Sequence, residues 1–360
     1  MLQELRKNTT MQKLNCYFYP YSARLRQKEV NPYTQMLMDV LESDFTILNK
    51  TRPSDKGIFD LMAYIKKTHF IFVNWIEELP DKKLGWIQSV VWMILVKLRK
   101  ALGFKVVWVM HNKQSHDPGN RWLKGILYRF MVRNSDLIFT HSTEGVRHAN
   151  RICSRSGGPK VFFHHPVLRR HKETAGRHTA YDMVIWGKMA PYKGIIEFLE
   201  YLNKRPDLQG RYKILIAGKF TSDDYFNEVN QLAYPNLTLI NSFIDDNRLS
   251  DLILQSKIVL FTYNQESVLS SGALMTSLEF PAMILGPHSA AFADAANEGI
   301  IETYQDFDEL FSKADQMLSD PMYLESVMHK QDAFARENSW TETGRLINQH
   351  IRELFSQKNQ

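Results

Sequence analysis

Short apolar runs alternate with helical patterns along the chain, and this alternation is the feature that most constrains the fold. Six runs of strand character lie in the first half, at residues 14–19, 45–48, 69–74, 105–110, 136–140 and 161–163. Five more lie in the second half, at 181–186, 212–217, 237–240, 258–261 and 282–285. Between them are segments with amphipathic spacing, at 32–41, 194–202, 223–232 and 247–255. Strands that alternate with helices predict an α/β fold with parallel sheets built from β-α-β units.

Two such series predict two doubly wound, Rossmann-like domains. The 360 residues are enough for about two domains. The stretch 169–180 is polar, contains one Gly and has no apolar period, so we predict a linker there. The N-terminal domain is then 1–168 and the C-terminal domain 181–337. Ser339 with Glu342 three positions later has the pattern of a capping box, which predicts a last helix within 338–360.

Cysteine content and hydropathy exclude several classes of protein. Two cysteines, Cys16 and Cys153, cannot build a disulfide scaffold and favour a reducing compartment. The longest purely apolar run, 90–96, is far short of the ~20 residues of a membrane-spanning helix. The first ten residues contain no apolar signal-peptide core. We therefore expect a cytoplasmic protein, either free or peripheral on the inner face of the membrane.

Charge is unevenly distributed along the chain. Residues 1–170 carry 28 Lys and Arg against 13 Asp and Glu, whereas the remaining residues carry 17 against 26. The net charge of +6 therefore combines a basic first half with an acidic second half. Such asymmetry suggests that the two domains face different partners. The basic half would suit an anionic membrane surface, a polyanionic acceptor or nucleic acid.

Two stretches of the basic half combine cations with apolar residues at helical spacing. They are 86–100, which ends in Arg99 and Lys100, and 121–133, which mixes arginines with Trp122. Basic amphipathic helices with aromatic residues suit a bilayer interface. The alternative is that both helices pack in an α/β core and leave basic faces in solvent. Nucleic acid is not an expected partner, because zinc-finger spacing and RNP-like motifs are both missing from the sequence.

One strand-to-helix loop of the second half carries two lysines. The strand that ends at Trp186 runs into Lys188 and Lys193, five positions apart, and a helix follows. Ligands of doubly wound domains bind at the carboxyl ends of strands. The start of a helix already favours an anion, and two ammonium groups added there would suit a diphosphate. The alternative is two solvated loop lysines.

A second loop has the same placement. Ser270, Ser271 and Gly272 come between the strand 258–261 and an apolar helical pattern, so hydroxyl and backbone N–H groups would meet a ligand there. Glu266 in the same loop could accept hydrogen bonds from sugar hydroxyls. The alternative is an ordinary helix cap beside a surface glutamate.

No metal cofactor is expected. Asp306 and Asp308 form a D-x-D pattern, but it opens an apolar helical stretch and is typical of a helix cap. The histidines at 111, 116, 164 and 165 do not have a recognisable zinc-binding spacing.

The second half resembles a known family. The pattern W-G-K at 186–188 followed by K-G at 193–194 resembles the G-[RK]-x-x-x-x-K-G loop of GT-B glycosyltransferases of the family 4 type. Three further segments resemble that family's next strand, nucleotide loop and following strand, and a fourth resembles the start of its last helix: 214–219, 269–274, 281–286 and 338–340. The resemblance is thinner in the first half. It implies the GT-B fold, with a C-terminal helix that crosses back to the N-terminal domain.

The resemblance assigns donor-binding roles. It implies that Lys188 and Lys193 hold the donor's pyrophosphate and that Glu266 lies near the donor sugar. It also places a group of small residues at the donor: Gly187, Gly218, Ser270, Ser271, Gly272 and Ala273. The family's ribose-binding glutamate corresponds to Leu274 here, and Glu279 lies too far along to match directly.

In the first half the resemblance points to the acceptor side. His111 follows the strand 105–110, where the family has a histidine that faces the donor sugar, and Asn112 follows it. The alternative is a packed or capping histidine. Asn74 and Trp75 end another strand at the same edge, so Trp75 is expected to stack on a sugar. The family's glycine-rich loop after the first strand is replaced here by Y-P-Y-S at 19–22.

These features predict a glycosyltransferase that uses a UDP- or GDP-linked sugar. The resemblance implies retention of anomeric configuration and no metal, with Lys188, Lys193, His111 and Glu266 as catalytic residues. The basic half suits a lipid-diphosphate-linked or acidic glycan acceptor, as in bacterial capsule, exopolysaccharide or lipopolysaccharide assembly. Two alternatives stay open: a sugar-nucleotide 2-epimerase of the same fold, and a non-catalytic protein that binds polyanions.

Overall fold

The computed structural model describes residues 13–21, 32–113, 119–153, 157–168, 179–264 and 269–356. Two parallel six-stranded sheets lie in these ranges, one in each half of the chain. The α/β fold class predicted from the alternating pattern is therefore confirmed. The predicted linker lies outside the described residues except for 179 and 180, and Glu266 also lies outside them.

The first sheet has the strand order β2-β1-β3-β4-β5-β6. Its strands are β1 Leu14–Tyr19, β2 Phe45–Ile47, β3 Phe70–Asn74, β4 Lys105–Met110, β5 Leu137–Thr140 and β6 Lys160–Phe162. The helices among them are α1 Pro32–Glu42, α2 Ile58–Leu61, α3 Gly85–Leu102, α4 Arg121–Asn134 and α5 Thr143–Ile152.

The second sheet has the order β12-β11-β10-β7-β8-β9. Its strands are β7 Tyr181–Trp186, β8 Ile214–Ala217, β9 Leu237–Ile240, β10 Ser256–Leu260, β11 Met283–Pro287 and β12 Glu302–Tyr304. The helices are α6 Ile195–Asn203, α7 Pro206–Arg211, α8 Asp223–Gln231, α9 Asp246–Leu254, α10 Gly272–Ser277, α11 Ala290–Asn297, α12 Phe307–Ser319 and α13 Tyr323–Glu337.

The central strands are apolar along their length because helices cover both faces of each sheet. In β4, five of the six residues are buried, and in β3 all five are. Separate hydrophobic clusters form on the two faces of each sheet. This arrangement leaves the loops after the strands as the places where polar side chains can reach a ligand.

The last helix, α14 Trp340–Ser356, crosses back to the first domain. Ile347 and Ile351 are fully buried in the hydrophobic cluster that also contains strands of the first sheet. The Asn348 side chain donates to Asp44 over 2.5 Å, and Arg352 pairs with the same carboxylate. The Ser339 hydroxyl accepts from the backbone N–H of Glu342 at 3.3 Å, as the capping pattern predicts. The expected crossover helix is thus confirmed.

Of the helices in the described ranges, none is long and apolar enough to cross a membrane.

Candidate active site

A cleft of about 720 Å³ lies between the two domains. Its walls are the loops after β3 and β4 of the first sheet and the loops after β7 and β10 of the second, together with side chains of α1 and α14. Ten of the candidate residues from the sequence line it: Trp75, His111, Asn112, Gly187, Lys188, Lys193, Ser270, Ser271, Gly272 and Ala273. The carboxyl ends of both sheets therefore meet at one site, as doubly wound domains require.

Lys193 is the most buried cation of this cleft. Its side chain lies beneath the loop after β7, and Nζ donates to the Trp186 carbonyl over 2.5 Å and lies 5.4 Å from the centre of the Tyr263 ring. Burial lowers the pKa of Lys193 to about 7, because an ammonium group loses hydration there. An anion bound in the cleft would restore the charged form.

Lys188 is exposed and lines the same cleft five residues earlier. Gly187 joins the two lysines to the strand, and its positive φ of 104° is a conformation that favours glycine. A Cβ at Gly187 would lie 3.2 Å from Lys193 Nζ. The glycine therefore leaves room between the buried ammonium group and the cleft.

Gly218 and Asn74 lie behind the cleft wall and do not line it, in contrast to their expected roles. A Cβ on Gly218 would lie 1.7 Å from the Gly187 carbonyl oxygen, so this glycine allows the two loops to approach. Asn74 is fully buried, and its Oδ1 lies 3.1 Å from His111 Nε2. Their expected contacts with the donor and the acceptor stay predictions.

His111 is held in place by a buried amide. In the tautomer that donates from Nε2 to Asn74 Oδ1, 3.1 Å away, Nδ1 keeps a lone pair. Burial lowers the pKa of His111 to about 3, so the ring is neutral at physiological pH. Trp75 stacks on it with 4.5 Å between ring centres and 14° between planes. The Trp75 backbone is left-handed, with φ 44°, which is strained for a bulky residue and turns the chain sharply after β3.

A cluster of rings extends this wall and was missed by the sequence reasoning. The Tyr33 hydroxyl lies 2.8 Å from His141 Nε2, and its ring centre lies 4.9 Å from that of His165 and 5.5 Å from that of Trp340. Burial lowers the pKa of His165 to about 4 and that of His141 well below its usual value. His141 follows β5 and His165 follows β6. Their position after strands could have identified them as candidate site residues in the sequence.

The loop after β10 links the domains. Ser270 Oγ donates to the His111 carbonyl over 3.2 Å, and Leu269 is buried in a first-domain cluster. Ser271 Oγ accepts from the backbone N–H of Leu274 at 3.1 Å, so it also caps α10. Gly272 has open space where a Cβ would stand. The loop thus presents its serines and glycine at the junction of the two walls.

Two carboxylates are positioned to contact a polar ligand. Glu78 and Glu279 line the cleft, although the sequence pattern placed Glu279 too far along for a direct match. Glu279 lies two residues beyond the end of α10. Because this helix is short, Glu279 still lines the cleft. Glu266 is outside the described ranges, so its role stays a prediction.

Metal-ligating side chains do not cluster in the described part of the chain: no group of three or more His, Cys, Asp or Glu is arranged to hold a metal ion there. Asp306 accepts from the backbone N–H of Glu309 at 2.8 Å and caps α12. The D-x-D pattern is therefore part of a helix start, as expected.

Known proteins resemble this chain in structure rather than in sequence. No protein-family model matches the sequence, and no curated protein matches it. The structure of HepE from Anabaena in complex with UDP-glucose has a TM-score of 0.63 and 12% identity, over 96% of this chain and 100% of HepE. Sucrose-phosphate synthase from Thermosynechococcus elongatus has a TM-score of 0.59 and 13% identity, over 84% of this chain and 80% of that one.

A third solved structure has the same relation to the chain. A UDP-forming trehalose-phosphate synthase from Burkholderia xenovorans has a TM-score of 0.56 and 13% identity, over 80% of this chain and 74% of that one. At such low identity these matches establish the fold. They confirm the GT-B arrangement, and membership of family 4 stays a prediction.

Proposed function

We propose that this protein is a glycosyltransferase that moves a sugar from a nucleotide diphosphate sugar to an acceptor held by the first domain. The observation that carries the proposal is the pair Lys188 and Lys193, on one loop, in a cleft that both domains line. Solved structures of the same fold include complexes with UDP and with UDP-glucose, which supports a UDP-linked donor.

The chemistry follows from where charge develops. When the bond between the sugar and the diphosphate breaks, the leaving phosphate gains negative charge. The ammonium groups of Lys188 and Lys193 would stabilise that charge, and removal of one such group typically lowers the rate by ~10²–10³. Because two cations serve this role, we expect transfer to proceed without an added divalent metal.

Other donor contacts are assigned to the same wall. Glu279 is proposed to accept hydrogen bonds from the ribose hydroxyls, since it is the carboxylate of the second domain that lines the cleft in the described part of the chain. Ser270, Ser271 and Gly272 are proposed to contact the distal phosphate. Glu266 keeps the role that the sequence resemblance gives it, beside the donor sugar.

The wall of the first domain suits a sugar acceptor. Trp75 and Tyr33 offer ring faces, and neutral His111 can accept a hydrogen bond from a hydroxyl at Nδ1. Retention of anomeric configuration is proposed, with the leaving phosphate taking the proton of the acceptor hydroxyl. Product anomeric configuration read by NMR tests this part separately.

The outer face of α3 favours a membrane-associated acceptor. Trp86, Val90, Ile94, Leu98 and Leu102 are all exposed and lie four residues apart, so they form one stripe along the helix, which we call the apolar stripe. Neither α3 nor α4 contains an Asp or Glu, whereas together they contain seven Lys and Arg. An exposed apolar patch flanked by cations is typical of binding to an anionic bilayer.

This surface supports a peripheral location on the inner face of the cytoplasmic membrane. A lipid-linked glycan there is the acceptor of bacterial capsule, exopolysaccharide and lipopolysaccharide assembly, and we propose that setting for the enzyme.

The donor site is tested by the thermal stability of the full chain with a panel of UDP, GDP and their sugars. A ligand at 100 times its dissociation constant stabilises the folded state by about 2.7 kcal/mol. We expect a clear shift with one nucleotide, lost in Lys188→Ala and in Lys193→Ala. Lys219→Ala is the matched control, because Lys219 is exposed in the next strand-end loop but does not line the cleft.

Absence of a shift with every nucleotide would contradict the proposal. Release of an epimerised nucleotide sugar without acceptor would replace it with the 2-epimerase alternative. Binding that ignores nucleotides and falls steeply with salt would favour the polyanion-binding alternative.

A further inference from the structure

A second cavity of about 510 Å³ lies in the first domain, beside the cleft. Glu78 and Asn112 line the cleft, whereas the adjacent residues Glu77 and Lys113 line this second cavity, so the two spaces are neighbours across the loops after β3 and β4. We call it the basic cavity, and the residues that matter below are Glu77, Lys113, Arg121, Trp122, Lys124 and Arg129.

Cations exceed carboxylates at the basic cavity. Lys113 pairs with Glu144 at 3.3 Å, but the same carboxylate also pairs with Arg147 at 3.5 Å and Arg151 at 2.5 Å. One negative charge is therefore shared among three cations, and the region keeps an excess of positive charge.

The helix α4 adds three more cations. Lys124 is buried and pairs with Asp81. Arg121 and Arg129 are exposed and have no ion-pair partner among the residues that the structure describes. Two guanidinium groups without a carboxylate partner among those residues are suited to bidentate binding of a phosphate.

A buried carboxyl group forms part of the cavity wall. Glu77 is 2% exposed, and its Oε2 has almost no accessible surface and no hydrogen-bond partner among the described residues. Burial raises the pKa of Glu77 to about 8, because the charged form loses hydration there. A carboxyl group that is mainly neutral at pH 7 adds little negative charge against an anion in the cavity.

Two aromatic side chains also line the cavity. Trp122 is 75% exposed at the rim, and the ring of Tyr128 is buried within. A volume of this size can hold a phosphorylated group together with part of a sugar or an apolar chain.

We propose that the basic cavity binds the phosphate or diphosphate group of the acceptor. The assignment of that anion to the acceptor rests on the proposed function, whereas anion binding itself does not. An acceptor held here by its phosphate would have its sugar next to the cleft, where the donor lies.

Calorimetry on the full chain tests the site with three probes: geranyl diphosphate, inorganic diphosphate and geraniol. Saturating UDP keeps the probes out of the cleft, and 0.15 M NaCl screens weak surface attraction. We expect geranyl diphosphate to bind and geraniol not to bind. Loss of a charge-assisted contact weakens binding by about tenfold or more, so Arg121→Ala and Arg129→Ala should each show that loss.

The matched control is Arg133→Ala. Arg133 is an exposed arginine of the same helix that does not line the cavity, and its loss should change affinity by less than about twofold. Equal weakening in Arg133→Ala would show general electrostatic attraction and overturn the site, as would failure of both diphosphates to bind. Much weaker binding of inorganic diphosphate identifies a lipid-linked source, and equal binding identifies a soluble phosphate.

The two proposals fail separately. If nucleotides do not stabilise the protein but geranyl diphosphate binds with the expected dependence on Arg121 and Arg129, the cavity stands and the transferase does not. If UDP binds and neither diphosphate does, the donor site stands and the cavity does not.

Discussion

The two walls of the cleft have opposite character. The second domain contributes cations, Lys188 and Lys193, on one loop after β7. The first domain contributes stacked rings, with Trp75 on His111 and Tyr33 against His165, and burial keeps these histidines neutral. The net charges of the two halves of the chain follow the opposite pattern, since the half with the uncharged wall is basic and the half with the cationic wall is acidic.

This difference teaches that the net charge of a domain does not describe its site. A few residues on strand-end loops set the charge of the cleft, whereas net charge averages the whole surface. No Lys or Arg of the first half is among the described residues that line the cleft, and eight of the 28 lie on α3, on α4 or at the basic cavity. We therefore propose that the second domain binds a diphosphate locally and that the first presents rings to a sugar beside an outer basic face.

The largest expected effect is on the cationic wall. Lys193→Ala should lower turnover by ~10²–10³ and leave the fold intact, because it removes a charge at the leaving phosphate. Steady-state transfer rates and the melting temperature without ligand are the measurements. A wild-type rate in this variant would show that transfer does not need the cation of the second wall. Lys219→Ala controls for the loss of a lysine outside the cleft.

The second largest effect is expected at the apolar stripe of α3, on the outer face of the first domain. The double variant Trp86→Ser and Ile94→Ser should weaken binding to vesicles of anionic phospholipid by about tenfold or more, since full burial of one large apolar side chain is worth ~1.5–3 kcal/mol. Co-sedimentation measures it. Phe243→Ser is the matched control, because Phe243 is 77% exposed in the second domain, and an equal loss there would contradict a specific surface.

The aromatic wall should show a smaller effect confined to the acceptor. Trp75→Ala should raise the KM for acceptor by about two- to tenfold, as loss of ring stacking removes ~0.5–1.5 kcal/mol. The dissociation constant for UDP should stay unchanged, because the cations of the other wall are untouched. A matching loss of UDP affinity would mean that Trp75 serves the donor instead.

The smallest effect is a proton linked to donor binding. Because the pKa of Lys193 is lowered to about 7, much of this lysine is neutral at pH 8 in the free protein. A bound diphosphate raises that pKa, so binding should take up as much as one proton and weaken as pH rises above 7. Calorimetry of the nucleotide sugar in two buffers of different ionisation heat measures this uptake.

Lys193→Met should abolish that proton uptake. The histidines of the aromatic wall should not contribute, because the lowered pKa values of His111, about 3, and His165, about 4, keep both neutral above pH 6. The tyrosines beside Lys193, Tyr192 and Tyr263, have raised pKa values and also stay neutral. Uptake that persists in Lys193→Met would assign the proton to another group.

Most strands could be predicted, because a buried parallel strand is a continuous apolar run within one short segment. The strand β4 was predicted with its full bounds, and β10 begins two residues before the predicted start. The edge strand β12 was missed, since it has only three residues and includes Glu302 and Thr303. A short strand that pairs on one side needs little apolar sequence, so its pattern is weak.

The cleft was predictable only in part. The two lysines and His111 were found because each lies in a segment that follows a strand, and the carboxyl ends of parallel strands share one edge. The family resemblance assigned Gly218 a donor contact, whereas in the structure its loop approaches Gly187 closely and the residue is not among those that line the cleft. A strand-end position therefore predicts proximity to a site, and packing decides which side chain lines it.

The sequence by itself determined the two parallel sheets, the diphosphate-suited loop and the basic amphipathic face of the first half, because each is a pattern within one short segment. Only the tertiary structure decided which residues from distant segments lie next to each other. It brought Tyr33 to His141 and Ser270 to His111, and it left Glu77 buried at a basic cavity. The physical reason is that periodicity reports which face of an element is buried, whereas a site depends on contacts between segments more than 100 residues apart in the chain.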